Sequence, residues 1–183
     1  MPDLAITSRQ PLDGRAAGGA NVSVKPAPDA ARLSLRARPD AVAALSKALG
    51  IDLPSKPKTS ATKGSRTAYW LGPDEWYVLD EAGKDLLAEA SKAKGLFSPV
   101  DISQRNTAIM VSGPNAEATL SSVCPQNLSD SAFPVGAVSR TLIGKVEVII
   151  HRTDKEAYRV ECWRSFSDYV FTFLADSARD AVA

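Results

Sequence analysis

The sequence predicts an α+β fold made of two tandem ferredoxin-like βαββα units that form one compact body. Its 183 residues, 44% hydrophobic and 23% charged, suit one good-sized domain or two small fused ones. Segments with the two-residue period of strands alternate with segments that have the period of helices. The same order of elements then occurs a second time along the chain, which points to a duplicated unit.

Residues 1–31 are predicted to form an extended or disordered N-terminal arm. They are rich in Ala, Gly, Pro and Asp and have no apolar periodicity. Gly18-Gly19 and Pro26-Ala27-Pro28 interrupt any regular element. The pattern fits a flexible tail, and it fits equally a segment that becomes ordered on a partner.

The first predicted unit covers residues 32–103. Its first strand alternates apolar and polar residues, and Pro39 then opens a helix that Gly50 ends. A hairpin around Gly72-Pro73-Asp74, a second helix and a last strand complete the ferredoxin-like order β-α-β-β-α-β. The predicted bounds are strand 33–37, helix 39–49, strands 67–71 and 75–79, helix 83–93 and strand 96–103.

The second predicted unit covers residues 104–178. Pro114 opens its first helix, and its last helix is predicted to start at Ser165, with the Ser165 hydroxyl as the cap. Tyr169, Val170, Phe173 and Leu174 are predicted to face inward. The predicted strands are 107–111, 138–143, 146–150 and 158–162.

The two predicted units resemble each other at a constant sequence offset. The alignment of the two units needs no gap from residue 33 to residue 54. It places Pro39 on Pro114, Leu45 on Leu120 and Leu53 on Leu128. The helix-opening proline and the inward-facing branched positions are therefore repeated. A duplication is expected, with the two units packed side by side.

Bulk composition excludes several classes of partner. The formal net charge is +1, so no nucleic acid partner is expected, and no apolar run reaches the roughly 18 residues of a membrane helix. The N-terminus has no apolar region typical of a secretory signal. Two cysteines, Cys124 and Cys162, are expected to be reduced and buried. These features predict a cytoplasmic protein without a membrane partner.

Groups suited to catalysis are scarce. His151 is the one histidine, so neither a zinc site nor a nucleophile–histidine pair has enough candidates. It is expected to be a surface or half-buried structural residue. No glycine motif for a phosphate or a dinucleotide is present. We therefore expect no catalytic, cofactor-binding or metal-binding residue in this chain.

Large amphipathic and guanidinium side chains are the candidates for a partner interface. Tryptophan and arginine are enriched among the residues that dominate binding at interfaces. Against this, most of the tryptophans are expected in the core, and each arginine is also readily solvated. The interface candidates are Trp70, Trp76, Arg105, Arg152, Trp163 and Arg164.

Residues 95–175 resemble the folate-binding half of the glycine-cleavage T-protein family. The resemblance rests on Gly95–Ser103, Val111–Ala116 and Gln126-Asn127-Leu128. It implies a T-protein-like body of duplicated ferredoxin-like units and aminomethyl-tetrahydrofolate chemistry. Where that family has paired acids after the turn glycine, this sequence has Glu147 alone. The departure argues against folate chemistry in this chain.

A closer resemblance, from about Leu33 to Leu174, is to the gamma subunit family of heterotetrameric sarcosine oxidase. It is carried by Trp70–Trp76, by Asp101–Ser103 with Arg105, and by Cys162–Phe166. It implies a non-catalytic subunit that scaffolds alpha, beta and delta subunits, in which FAD, FMN, NAD and zinc are expected. Such an assembly demethylates sarcosine oxidatively to glycine and passes the one-carbon unit to tetrahydrofolate.

The alternative is a free-standing T-protein-like folate-binding protein or a relative of the aminomethyltransferases. That hypothesis predicts a deep pocket between the two units, with a carboxylate that reaches the pterin. Glu147 is the nearby candidate for this carboxylate.

Overall fold

Residues 10–181, the part of the chain that the computed structural model describes, form two antiparallel sheets with helices on their outer faces. The first sheet has five strands and the second has six. The strands are β1 Ala17–Gly19, β2 Val22–Pro26, β3 Ala31–Ala37, β4 Ser60–Lys63, β5 Arg66–Gly72, β6 Glu75–Asp80, β7 Phe97–Asp101, β8 Asn106–Ser112, β9 Val138–Ile143, β10 Val146–Asp154 and β11 Ala157–Trp163. The helices are α1 Pro39–Leu49, α2 Leu86–Ala90, α3 Ala116–Ser121 and α4 Ser167–Asp180, and a 3₁₀ turn at Arg164–Phe166 precedes α4.

The first sheet has the strand order β4-β5-β6-β3-β7 and is covered by α1 and α2. Pro39 occupies the first turn of α1, where its missing N–H costs nothing. Gly50 ends the helix in the left-handed conformation at φ 65°, and its N–H bonds back to the last turn. Ala41, Leu45 and Leu49 then lie against the sheet, so the predicted helix bounds are confirmed.

The second sheet has the strand order β1-β2-β8-β11-β10-β9, and its core lies under α3 and α4. Strand β2 pairs with β8, with Val24 opposite Val111, and Leu12, Val22 and Val24 are buried in this core. The predicted arm is therefore corrected for residues 10–31, while its first nine residues lie outside the described part. Val22 and Val24 alternate with Ser23 and Lys25 as in a half-buried strand, but this pattern is short and lies among glycines and prolines.

The internal repeat reaches further than the sequence comparison indicated. The same offset that relates Pro39 to Pro114 also relates whole strands. Added to the first and last residue numbers of β3, it gives those of β8, and added to those of β2, it gives those of β7. Strand β7 is the outer neighbour of β3, and β2 is the outer neighbour of β8. The second unit is thus not the continuous segment 104–178. It also includes β2, which pairs with the edge of β8 that would otherwise be unpaired.

The start of α4 differs from the prediction. Ser165 lies in the 3₁₀ turn and makes no cap, whereas the Ser167 hydroxyl donates to the Arg164 carbonyl oxygen. Val170 and Leu174 are buried as predicted, but Tyr169 and Phe173 are exposed. These four side chains together cover a wider part of the helix surface than the sheet contacts. Two of them therefore face the sheet and the other two face solvent.

A third apolar cluster lies between the two sheets. It contains Tyr69, Tyr77 and Leu79 from the first sheet, Val138 and Ile149 from the second, and Ile102 from the connection between them. The faces of the sheets that turn away from the helices are thus packed against each other. Polar side chains on these same faces form two hydrogen-bonded networks between the sheets.

Candidate functional site

A buried ion cluster centred on Glu161 joins the two sheets. The Arg32 Nε donates to Glu161 Oε2 at 2.8 Å, and the Tyr77 hydroxyl donates to the same oxygen at 2.7 Å. The Arg159 Nε donates to Glu161 Oε1 at 2.7 Å. Arg32 and Tyr77 belong to the first sheet and Glu161 to the second, so the cluster links the two halves of the molecule.

The charges of this cluster are balanced. Burial alone would raise the pKa of Glu161, but the Arg159 and Arg32 guanidiniums outweigh burial and hold that pKa below its usual range. Arg159 also contacts Glu81 at 2.7 Å, which supplies a second carboxylate for the second guanidinium. A fully bonded carboxylate with a lowered pKa is a poor proton carrier, so the cluster is suited to structure and not to acid–base chemistry.

His151 lies at the centre of a second polar chain between the sheets. Its Nε2 is 3.0 Å from the Ser60 Oγ, and its Nδ1 is 3.2 Å from the Tyr69 hydroxyl. A serine beside a histidine is the arrangement of a nucleophile and its base. The position differs from the expected surface or half-buried one, because the residue is 6% exposed.

The direction of these hydrogen bonds argues against catalysis by Ser60. Its hydroxyl already donates to the Gly136 carbonyl at 2.7 Å, so Nε2–H of His151 donates to Ser60 and Nδ1 accepts from Tyr69. Burial, with a smaller contribution from Arg159, lowers the pKa of His151 to about 4. Such an imidazole is a weak base at neutral pH, and the chain of bonds ties β4 and β5 to β10.

Both cysteines are free and buried, as expected from the sequence. Burial and the neighbouring Glu161 carboxylate raise the pKa of the Cys162 thiol to about 12. The reactive thiolate is therefore scarce at neutral pH, and Cys162 behaves as a small apolar core residue.

The space between the sheets is nearly filled. A cavity of about 50 Å³ lies there, beside Tyr77, Ile149 and Glu161. Ligand pockets usually measure roughly 300–1,000 Å³, so this space does not match the deep pocket that the folate hypothesis predicts. Glu147 lies at its rim with a largely exposed side chain, 3.8 Å from Arg140.

A wider depression of about 570 Å³ lies on the surface of the first half. Its walls include Asp29, Glu81, Asp85 and Asp101 with Lys84.

Within residues 10–181, no group of three or more His, Cys, Asp or Glu side chains is placed to hold a metal ion. No helix in the same range is long and apolar enough to cross a membrane.

Two of the six predicted interface residues lie in the interior. The Trp76 Nε1 donates to the Pro54 carbonyl at 2.8 Å, and the Arg152 Nη1 donates to the Phe133 carbonyl at 3.0 Å. Both side chains are buried. They therefore stabilise loops of this chain and have little surface to offer to a partner.

Three of the predicted residues come together at one end of the second sheet. Trp163 is 44% exposed, and the Arg105 guanidinium lies over its ring at 5.3 Å. Arg164 Nη1 donates to Gln104 Oε1 at 3.3 Å. The sixth candidate, Trp70, is half-buried on β5 of the first sheet. An interface at these four residues stays a prediction.

Sequence reasoning missed the members of the buried cluster. Arg159 and Glu161 alternate with apolar residues in β11, which is the pattern of a strand with one solvated face. Arg32 has the same alternation in β3, whereas Tyr77 lies in the continuous apolar run of β6 and gives no such signal. One signal was available in the sequence. Both halves of a duplicated chain have polar residues on the sheet face that no helix covers, and two such faces can pack against each other.

Comparison with known proteins identifies the family. The model of the sarcosine oxidase, gamma subunit family matches residues 34–180. The sarcosine oxidase subunit gamma of Corynebacterium sp. strain U-96 is 30% identical over 166 residues, which cover 88% of this chain and 81% of the relative. The subunit gamma of Corynebacterium sp. strain P-1 is 31% identical over 153 residues, or 81% of this chain and 75% of the relative.

Solved structures give the same result for the fold. A chain of the heterotetrameric sarcosine oxidase from Corynebacterium sp. U-96, in complex with pyrrole 2-carboxylate, matches with a TM-score of 0.87 and 25% identity. The match covers 96% of this chain and 97% of that chain. The glycine cleavage system aminomethyltransferase T from Bartonella henselae matches with a TM-score of 0.66 and 14% identity, over 87% of this chain and 47% of that chain.

Proposed function

The chain belongs to the sarcosine oxidase gamma subunit family, and from this premise we propose that it is a non-catalytic subunit that scaffolds a heterotetrameric sarcosine oxidase. The observation that carries the proposal is the near-complete overlap with one chain of such a heterotetramer. An overlap over almost the whole length of both chains leaves little room for an additional catalytic domain within the matched part.

The assembly is proposed to demethylate sarcosine oxidatively to glycine in the cytoplasm and to transfer the one-carbon unit to tetrahydrofolate. Its partners are proposed to be alpha, beta and delta subunits, which hold FAD, FMN, NAD and zinc. The residues of this chain support such a division of work. His151 is a weak base, Cys162 is a protonated thiol, and Glu161 is held between two guanidiniums.

We further interpret each half as a ferredoxin-like unit. The core orders β5-β6-β3-β7 and β10-β11-β8-β2 are equivalent under the internal repeat, and β4 and β9 each add one strand at the same edge. The T-protein likeness supports the same body plan at the level of fold. The closed space between the halves disfavours the alternative of a free-standing folate-binding protein.

Co-expression with the other three subunits from the same genome tests the proposal. With a tag on this chain, the three partners should co-elute in a fixed ratio and oxidise sarcosine. If the three partners assemble and turn over equally well without this chain, the scaffold role is wrong.

A variant of this chain separates scaffolding from catalysis. His151→Gln keeps a hydrogen-bonding side chain beside Ser60 and Tyr69 but removes the titrating group. Complexes that contain this variant should oxidise sarcosine at the wild-type rate per assembled complex. A large loss of turnover in fully assembled complex would contradict the non-catalytic role.

A further inference from the structure

The exposed large hydrophobic side chains of this protein are concentrated at one end of the second sheet. Nine such side chains are exposed within residues 10–181, and five of them lie at this end. Their exposed fractions are 37–44%. Contiguous apolar surface of this kind marks an interaction site more often than scattered single residues do. The five residues are Leu142, Trp163, Phe166, Tyr169 and Phe173, and we call them the aromatic end.

The four aromatic members of the aromatic end lie in two pairs of neighbouring rings. The rings of Trp163 and Phe166 are 6.3 Å apart, and those of Tyr169 and Phe173 are 4.6 Å apart. Spacings of three and four residues place Phe166, Tyr169 and Phe173 on one side of α4 and the turn before it.

The turn between β9 and β10 extends this surface beyond α4. A Cβ atom on Gly144 would lie 2.6 Å from the Tyr169 hydroxyl, so the turn touches the aromatic side chains directly. Leu142 lies two residues before that glycine, opposite Glu147 in the strand register. The aromatic end therefore spans both α4 and the β9–β10 hairpin.

The charges around this surface are predominantly positive once existing ion pairs are counted. Arg105 stacks on Trp163, and Lys145 is exposed beside Gly144; neither forms an ion pair with another residue between 10 and 181. Of the acids nearby, Asp168 contacts Arg15 at 2.5 Å, whereas Glu147 is 60% exposed and lies 3.8 Å from Arg140, which already contacts Glu75 at 2.5 Å. Arg105 and Lys145, set against the one loosely held carboxylate of Glu147, leave an excess of positive charge beside the aromatic surface.

We propose that the aromatic end is the surface through which this chain docks on a partner subunit, and that the partner presents an apolar patch flanked by carboxylates. The inference rests on the proposed function and specifies where the subunit contact is made. A second copy of this chain fits less well. A two-fold contact would place Arg105 and Lys145 of both copies around one shared patch, where the two Glu147 carboxylates would face twice as many of these cations.

Two matched double variants in the co-expressed complex test this proposal. Phe166→Glu with Phe173→Glu should lower the amount of partner subunits that co-elute by roughly tenfold or more, because buried aromatic residues dominate interface energies. The control is Leu96→Glu with Val100→Glu, two side chains of the first half that are 60% and 52% exposed. It should co-elute like the wild type, and all variants should melt at similar temperatures.

A charge reversal examines the recognition chemistry. Arg105→Glu should reduce co-elution by a smaller factor than the aromatic variant, and the difference from wild type should shrink at high salt. The proposal is overturned if wild-type chain assembles and the aromatic variant assembles equally well. It is also overturned if the aromatic end instead mediates self-association of the isolated chain or its binding to anionic lipid vesicles. Failure of the wild type to co-elute would instead contradict the proposed function.

Discussion

The two halves of the molecule have the same arrangement of strands but differ in one helix. This helix follows the β5–β6 hairpin in the first half and the β10–β11 hairpin in the second. In the first half this helix is α2, with five residues, and in the second half it is α4, with fourteen. At 1.5 Å per residue the two helices are about 8 Å and about 21 Å long. α2 buries Leu86 and Ala90, whereas α4 buries a full apolar stripe and still presents aromatic side chains to solvent. The comparison shows that the duplicated frame needs little helix for its core, and that the added length is available for a partner.

The halves also differ in the origin of their outer strand. Strand β7 follows α2 along the chain, but its counterpart β2 precedes the whole first half. The second half is therefore completed by the N-terminal segment. All five strands of the first sheet come from residues 31–101, so the second half alone borrows a strand, whereas side chains of both halves meet around Glu161.

The largest expected effect tests the strand that completes the second half. Val24→Asp places a carboxylate in the core, whereas Lys25→Asp changes the adjacent, exposed position of the same strand. We expect a loss of about 4–5 kcal/mol in the free energy of unfolding for the first variant and almost none for the second. Urea denaturation measures both. Equal stability of the two variants would mean that residues 22–26 are a loose arm after all.

The ion cluster that joins the halves gives the next largest effect. Glu161→Gln leaves the Arg32 and Arg159 guanidiniums buried without their shared carboxylate, which is expected to cost about 3 kcal/mol of stability. Glu147→Gln changes an exposed carboxylate on the neighbouring strand β10 and should be nearly neutral. Chemical denaturation of both variants measures the difference. Similar denaturation midpoints would show that the ion cluster does not stabilise the fold.

The histidine between the halves predicts a pH dependence of stability. Its pKa is about 4 in the folded protein and about 6.5 when unfolded, so the unfolded chain binds the proton first as the pH falls. The free energy of unfolding should therefore drop by about 2 kcal/mol between pH 7 and pH 5 from this group. His151→Gln should abolish this part of the slope. An unchanged slope in the variant would show that His151 does not titrate in this way.

The smallest expected effect concerns the space between the halves. With a cavity of about 50 Å³ there, tetrahydrofolate in excess should leave the melting temperature of the isolated chain unchanged. Differential scanning fluorimetry with a folate-binding T-protein as positive control is sufficient. A clear rise in melting temperature would revive the folate-binding alternative.

Local elements of the fold were predictable because their signals are local. Pro39 and Gly50 set the bounds of α1, and strand β9 was predicted with the bounds that the structure has. The family was indicated by short blocks such as Cys162–Phe166, and the family match confirms it. Helix ends and hairpins depend on a few neighbouring residues, which a single sequence displays.

The remaining features depend on residues that are distant in the sequence. Strand β2 becomes a strand only beside β8, and Glu161 becomes buried only because Arg32 and Tyr77 approach it from the other sheet. For the candidate interface, the sequence indicated Trp163 but assigned Tyr169 and Phe173 to the core. Periodicity identifies a helix face but does not show how much of that face the sheet can cover.

Hydrogen exchange on the assembled complex tests the central claim, that the frame is common to both halves and the partner surface belongs to the second half. Amide exchange is compared between this chain alone and the same chain in the heterotetramer. The account predicts slower exchange on assembly in residues 142–145 and 163–176, and no change in residues 96–100. Protection confined to residues 96–100 and α2, with α4 unchanged, would contradict it.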